Sequence, residues 1–378
     1  MSEPIFHWPP PAHIGNSIDE IDTPALLVDL DRLERNLVRM AAFAATTGLR
    51  LRPHAKMHKT PAIANRQIAL GAVGVCCQKV SEAEAMADGG VQDVLLSNQI
   101  VGRTKIDRLA ALAKRIRVGV CVDHAENIRE LNLGAGRAAV RLDIYVEVNA
   151  GANRCGVESG HPALELARLV ASLPNLDFKG LQVYHGSAQH LRTAEDRRQA
   201  IEIATSKAVL SRDLIVNAGI PCPVITGAGT GTFELEAASR VFTELQPGSY
   251  AFMDADYGRN ETAAPFEQSL TILTTVMSAS ADRVVVDCGL KAHSVDSGMP
   301  LVVPANLDGE GHLTYLKASD EHGVIVSNAH GALPKLGKKL QLIPGHVDPT
   351  VNLHDWILGL RNGIVEEVWP VTARGAMW

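Results

Sequence analysis

The run Arg52-Pro53-His54-Ala55-Lys56-Met57-His58-Lys59 concentrates cationic and titratable side chains in eight residues. Crowded positive charge disfavours a further proton, so a lysine in such a cluster is neutral part of the time. A neutral amine attacks carbonyl groups and forms a Schiff base. The alternative use of the same run is a solvated basic loop that holds an anion. A second feature is Gly227-Ala228-Gly229-Thr230-Gly231-Thr232, followed by Gln246-Pro247-Gly248-Ser249-Tyr250. Glycine-rich turns let backbone N–H groups approach a phosphate, and hydroxyls add donors; ordinary turns use glycine as well. A third is Gly345-His346-Val347-Asp348-Pro349-Thr350. If this stretch is extended, His346 and Asp348 point to one side and can share a metal ion. An imidazole with a carboxylate suits Mn²⁺ or Zn²⁺, and two ligands leave positions for water or substrate. The alternative is a polar turn with its hydrogen bonds satisfied. Asn149-Ala150-Gly151-Ala152-Asn153-Arg154-Cys155-Gly156 and Tyr184-His185-Gly186-Ser187-Ala188-Gln189-His190 add polar groups. His54 and His58 stand four apart without the H-E-x-x-H pattern of a zinc helix.

Elements able to position these groups alternate along the first two thirds of the chain. Short apolar, β-branched runs begin near Ala25, Leu49, Val73, Asp93, Arg117, Asp143, Lys179 and Val224. Segments of helical period lie between them. Residues 31–45 place Leu33, Leu37, Met40 and Ala41 at helix-face spacing, with Asp31 available as a cap; residues 103–116 do the same with Ile106, Leu109 and Leu112. Eight strand–helix units predict a parallel (β/α)8 barrel over residues 20–260. An open doubly wound sheet is the rival, weakened because no G-x-G-x-x-G follows the first strand. In a barrel, strand ends at the C-terminal face carry the chemistry, and the segments that begin at Arg52, Asn149, Tyr184 and Gly227 each follow a strand-like run. Residues 262–378 change character: strand-like runs follow one another without long helices, and Asn362-Gly363 between apolar runs reads as a type I′ hairpin. This predicts an antiparallel β-domain on which the N-terminal arm, residues 1–19, packs.

Composition narrows the class. The chain has 378 residues, 46% hydrophobic and 21% charged, which excludes a disordered, collagenous or small disulfide-bonded protein. Lys plus Arg is 36 against 42 Asp plus Glu; a net charge of −6 gives no pull toward nucleic acid or an anionic membrane. Six scattered cysteines fit buried thiols in a reduced, cytoplasmic compartment. The first twenty residues lack the pattern of a secretory signal, and no run of apolar residues is long enough to span a membrane.

Four segments, Asp22-Thr23-Pro24-Ala25, the run Arg52 to Lys59, Gly74-Val75-Cys76-Cys77-Gln78-Lys79 and Gly345-His346-Val347-Asp348-Pro349-Thr350, together resemble the D-threonine aldolases. These stand with the D-serine dehydratases, the 3-hydroxy-D-aspartate aldolases and, more distantly, the alanine racemases among fold-type III pyridoxal phosphate enzymes. The likeness runs from about residue 20 to the end. It implies a pyridoxal-phosphate barrel plus a C-terminal β-domain, as a homodimer. Carried onto this chain, Lys59 holds the cofactor as a Schiff base and Arg154 lies beside its phenolic oxygen. Tyr184 falls where alanine racemases place a ring-stacking histidine. Gly229, Thr230, Gly231, Gly248 and Ser249 take the phosphate, with Tyr250 and Tyr257 as further contacts. Gln246 stands where alanine racemases face the pyridine nitrogen with an arginine, so racemase-like tuning is not implied. His346 and Asp348 bind a divalent metal, Mn²⁺ foremost, with Zn²⁺, Co²⁺ or Mg²⁺ compatible. His190 serves as base.

The implied reaction is retro-aldol cleavage of a D-β-hydroxy-α-amino acid to glycine and an aldehyde: acetaldehyde from D-threonine, glyoxylate from 3-hydroxy-D-aspartate. Eliminating relatives often carry Cys at the place of Asp348, which favours cleavage over dehydration. A dehydratase using the same site, a non-catalytic cofactor carrier and a metal-dependent hydrolase are the other readings.

Overall fold

The computed structural model of the chain describes residues 8–262, 264–303, 313–327 and 333–378. Eight parallel strands form one sheet in the order Arg50–Leu51, Glu244–Leu245, Val224–Gly227, Leu176–Val183, Leu142–Glu147, Arg117–Val122, Asp93–Gln99 and Val75–Cys77. A parallel bridge between His54 and Cys76, with the Cys76 N–H donating to the Pro53 carbonyl at 2.8 Å, joins the two ends and closes the barrel. Val94, Leu96, Val118, Val120, Ile144 and Val146 are buried, as strands covered by helices require. Helix Arg103–Leu112 buries Ile106, Leu109 and Leu112 against this sheet.

One strand goes elsewhere. Ala25–Asp29, the expected first barrel strand, pairs antiparallel with Leu270–Ala279 and parallel with Trp356–Arg361. It belongs to the second sheet, and the barrel takes the two-residue strand Glu244–Leu245 as its eighth member. The expected boundary at residue 20 is therefore corrected: the second domain draws residues 25–29 from the start of the chain. The helix that follows, Leu30–Thr47, buries Leu33, Leu37, Met40 and Ala44, and its cap is Asp29, which accepts the Arg32 N–H, instead of Asp31.

The strand-like runs of the last third are strands: Leu270–Ala279, Val284–Val286, Leu313–Ala318, Gly323–Ser327, Lys339–Ile343 and the hairpin Trp356–Arg361 with Ile364–Pro370. Asn362 and Gly363 turn the hairpin at φ 50° and 76°. The described part of the N-terminal arm packs on it: the Gly15 N–H donates to the Val365 carbonyl and Ser17 pairs with Ile364. Residues 1–7 of the expected arm lie outside the described residues. All six cysteines are free; Cys76, Cys77, Cys121 and Cys288 are buried. Among the described residues no helix is long and apolar enough to cross a membrane.

Gly180 shows how tightly the barrel strands meet. At φ 151° its absent Cβ would lie 1.8 Å from the Val224 carbonyl oxygen of the next strand. Gly180→Ala is expected to cost about 2–4 kcal/mol of stability, read as a lower urea midpoint.

Candidate active site

The strand ends surround a cavity of about 150 Å3. Every barrel strand but Arg117–Val122 supplies lining residues, or the loop after it does. His54, Lys56 and Met57 follow Arg50–Leu51; Gln78 follows Val75–Cys77; Ser97 lies on Asp93–Gln99. Gln182 and Tyr184 come from the end of Leu176–Val183, Ala228, Gly229 and Thr230 from the turn after Val224–Gly227, and Gln246, Gly248 and Ser249 from the turn after Glu244–Leu245. Arg154, Tyr257 and Asp348 complete the wall.

The lysine in this wall is Lys56, not Lys59. A one-turn 3-10 helix, Ala55–Met57, begins where His54 Nδ1 accepts the Lys56 N–H, and this turn sends the Lys56 amine to the Asp348 carboxylate. Burial pulls the Lys56 ammonium down, and Asp348 beside it holds it above its usual value. Lys59 sits at φ 51° and faces the other way. Its Nζ donates to the Ala373 carbonyl at 3.3 Å and lies 3.8 Å from Met377 Sδ, outside the cavity wall. The expected place of Lys59 is thus corrected. His54 lines the cavity, with Nε2 against Gln78 Nε2 at 2.8 Å and Ser97 Oγ at 3.1 Å. Burial, then the Lys56 charge, push its pKa well down, so the ring is neutral.

The glycine turns form a cradle. Among the described residues no protein acceptor takes the N–H groups of Gly229, Thr230, Gly248 or Ser249. A Cβ at Gly229 would lie 2.4 Å from Gln189 Oε1, and one at Gly248 would lie 2.8 Å from the His54 carbonyl oxygen. Unpaired donors on backbone that cannot carry side chains fit a phosphate. Gly231 is off the cavity; its N–H donates to Gln189 Oε1 at 2.9 Å. The Tyr250 side chain points into the core and takes a hydrogen bond from Gln67, while its N–H donates to Thr230 Oγ1. Tyr257 lines the cavity, bonded through its hydroxyl to Ser249, and burial pushes its phenol pKa up. The Arg154 guanidinium stands 5.7 Å from the centre of the Tyr184 ring. Gln246 exchanges amide hydrogen bonds with Gln182 at 2.8 and 3.0 Å and donates to Thr226 Oγ1, so it offers the cavity a neutral, fixed group. Amine, bare N–H groups, hydroxyls and a guanidinium form the donor set that pyridoxal phosphate needs.

Behind the cradle Glu236 is fully buried. Its Oε1 accepts the Thr232 hydroxyl at 2.8 Å, and among the described residues its Oε2 has no partner. Burial pushes its pKa from the ordinary 4.5 to about 7. The native state then binds more protons than the unfolded chain between these values, so stability falls as pH rises through that window and stays reduced above it. Glu236→Gln is expected to be roughly 2 kcal/mol more stable than wild type at pH 8, with no advantage below about pH 4.5, in urea titrations at both pH values.

His346 and Asp348 are brought together by a route the sequence did not suggest. His346 is extended at φ −143°, but Asp348 lies in the first turn of the helix Val347–Val351. The segment docks on the barrel through Ala255 N–H to the Pro344 carbonyl, Asp256 N–H to the Gly345 carbonyl and Val347 N–H to Asp254 Oδ2. His346 Nε2 and Asp348 Oδ2 end 3.7 Å apart. Two ligands about 2.1 Å from one tetrahedral ion stand about 3.4 Å apart, so the pair fits a shared cation. Nδ1 of His346 pairs with Asp296 Oδ2 at 2.7 Å, the second contact that orients metal-binding imidazoles and leaves Nε2 as the ligand. Among the described residues no third His, Cys, Asp or Glu joins them. His190 is exposed and outside the cavity wall. Its Nδ1 is 2.5 Å from Asp256 Oδ2, and its ring centre is 6.4 Å from that of Tyr257. Asp256, Asp296, Ser97 and Gln182 went unnoticed in the sequence, and Gln78 was given no role there. Only a carboxylate within reach of a candidate histidine offered a signal, and neither aspartate is near its histidine along the chain.

The alanine racemase N-terminal domain family matches residues 28–256, and a serine dehydratase domain matches residues 269–360. The chain is 48% identical over 374 residues to D-threonine aldolase of Arthrobacter sp, covering 97% of this chain and 96% of that protein. It is 48% identical over 375 residues to 3-hydroxy-D-aspartate aldolase of Paracoccus denitrificans (strain Pd 1222), covering 97% and 95%. The crystal structure of D-threonine aldolase from Filomicrobium marinum superposes with a TM-score of 0.95 at 48% identity, over 98% of this chain and 100% of that one. A closed parallel barrel with a lysine and unpaired backbone N–H groups at its mouth, and this likeness over nearly the whole length, place the chain in the D-threonine aldolase family, carbon–carbon lyases among the fold-type III pyridoxal phosphate enzymes.

Proposed function

We propose that the chain is a metal-assisted aldolase that splits the Cα–Cβ bond of D-β-hydroxy-α-amino acids into glycine and an aldehyde. The observation that carries this reading is that one cavity gathers a lysine, an anion cradle and Asp348, with His346 beside it. Lys56 would hold the cofactor, the N–H groups of Gly229, Thr230, Gly248 and Ser249 its phosphate, and Arg154 its phenolic oxygen. His346 and Asp348 would hold the divalent cation, with Mn²⁺ the first choice. When bound, the cofactor accepts the electron pair left on Cα and the cation lowers the pKa of a hydroxyl on it.

The chain's own groups then have distinct tasks. Asp256 is kept ionised: burial opposes this, but His190, Arg192 and Arg259 all hydrogen-bond it and drive its pKa far down. It therefore fixes the proton of His190 on Nδ1 and leaves Nε2 to receive the proton of the β-hydroxyl. Loss of that proton turns the Cβ–O bond into a carbonyl while the C–C pair stays on Cα, where reprotonation yields glycine. Gln246, tied to Gln182 and Thr226, presents no second cation to the ring.

Product analysis tests the reading. Purified protein with pyridoxal phosphate and Mn²⁺ would receive D-threonine, 3-hydroxy-D-aspartate and D-serine, each beside its L-enantiomer. Glycine plus acetaldehyde or glyoxylate from D-substrates alone is expected, and the faster substrate decides between two relatives of equal identity. Ammonia plus an oxo acid would replace the reading with dehydration, the chemistry named by the match over residues 269–360. The working unit is proposed as a homodimer, measured by light scattering.

A further inference from the structure

We propose that Gln189 is the positioning residue of the phosphate cradle: it holds residues 229–231 in the shape that leaves the Gly229 and Thr230 N–H groups facing the cavity. The inference rests on the functional reading above and adds a residue outside the cavity wall, one that the resemblance did not assign.

Gln189 is 1% exposed and lies in the short turn Gly186–His190. Its Oε1 accepts the Gly231 N–H at 2.9 Å, and its Nε2 donates to Thr232 Oγ1 at 2.9 Å. The Thr232 hydroxyl in turn donates a hydrogen bond to Glu236 Oε1. Carbonyl meets N–H and amine meets hydroxyl acceptor, a pairing only a primary amide satisfies at both ends. The amide also fills the space under the loop: a Cβ at Gly229 would lie 2.4 Å from Oε1 and 2.5 Å from Cδ. By taking the Gly231 N–H, Gln189 turns that donor away from the cavity and sets the direction of the two N–H groups before it. The turn itself is pinned, since Asn260 Nδ2 donates to the Gln189 carbonyl at 3.0 Å. An amide does this without charge, whereas a carboxylate in its place would set a negative group beneath a phosphate.

The test separates a phosphate-specific role from a general one. Dissociation constants of pyridoxal phosphate and of pyridoxal, which lacks the phosphate, would be measured by absorbance titration for wild type, Gln189→Ala and Gln189→Glu. Pyridoxal phosphate should bind about ten-fold or more weaker to both variants, with pyridoxal changed less than about two-fold. Gln189→Glu keeps the shape and the acceptor for Gly231, so it remains informative if the alanine variant folds poorly. Equal weakening for both ligands, or no weakening for either, would overturn the proposal while leaving the functional reading intact. Wild-type protein that takes up no pyridoxal phosphate would overturn the functional reading itself, and this inference with it.

Discussion

Lys56→Ala should abolish both turnover, by at least about 1,000-fold, and the yellow absorbance of a lysine-bound cofactor, whereas Lys59→Ala should keep both. The two lysines are three residues apart in one basic run, and the local backbone separates them. The turn Ala55–Met57 aims Lys56 at the cavity, where its amine meets Asp348. Left-handed backbone at Lys59 aims the second amine at the Ala373 carbonyl. Lys59 is buried, burial pulls its pKa down, and its partners are a carbonyl and a thioether. Those are features of an activated amine, so chemistry alone does not choose between the two; position does. The measurement is an absorbance spectrum with pyridoxal phosphate before and after borohydride reduction, followed by turnover of D-threonine. Loss of the yellow species in Lys59→Ala with retention in Lys56→Ala would reverse the assignment.

That choice marks the limit of what the chain discloses on its own. Apolar, β-branched runs located seven of the eight barrel strands and seven of the nine strands of the second sheet, because burial on one or both faces leaves a mark on composition. The run at Ala25 carries the same mark and is followed by the same kind of helix, yet its partners are Leu270–Ala279 and Trp356–Arg361, both more than two hundred residues away. Pairing partners at that distance are not written in the strand. Glu244–Leu245 failed for the opposite reason: two residues, one of them a buried glutamate held by Arg52, leave no periodic signal. The site divides similarly. Glycine turns and a His-x-Asp pair are legible because their chemistry restricts residue type. Gln189, Gln78, Gln182 and Ser97 are neutral groups whose work depends on distance, and distance appears only on folding. His346 and Asp348 come within 3.7 Å through an extended residue followed by a helical turn, not through the extended segment that the spacing suggested.

The cation pair yields the second large effect. His346→Ala and Asp348→Ala should each lower turnover by about 100-fold or more and leave cofactor absorbance in place, and chelation of wild type should do the same. Asp296→Ala should weaken metal binding by about 10–100-fold, since Asp296 orients His346 through Nδ1, and saturating Mn²⁺ should restore much of the turnover. The Lys56 contact adds a thermodynamic consequence. Without cofactor, an ammonium sits on one oxygen of Asp348, and a divalent cation must displace it or share the carboxylate. Once Lys56 is committed to the cofactor that competition ends. Metal affinity should therefore rise when the cofactor is loaded, and linkage requires the metal to favour cofactor loading by the same factor. The Lys56→Ala apoprotein lacks the competitor, so it should bind Mn²⁺ more tightly than wild-type apoprotein in calorimetric titration, although it is inactive. Identical affinities for the two apoproteins would show that the Lys56–Asp348 contact does not oppose the metal, and would remove the coupling while leaving the ligand assignment to stand on the His346 and Asp348 variants.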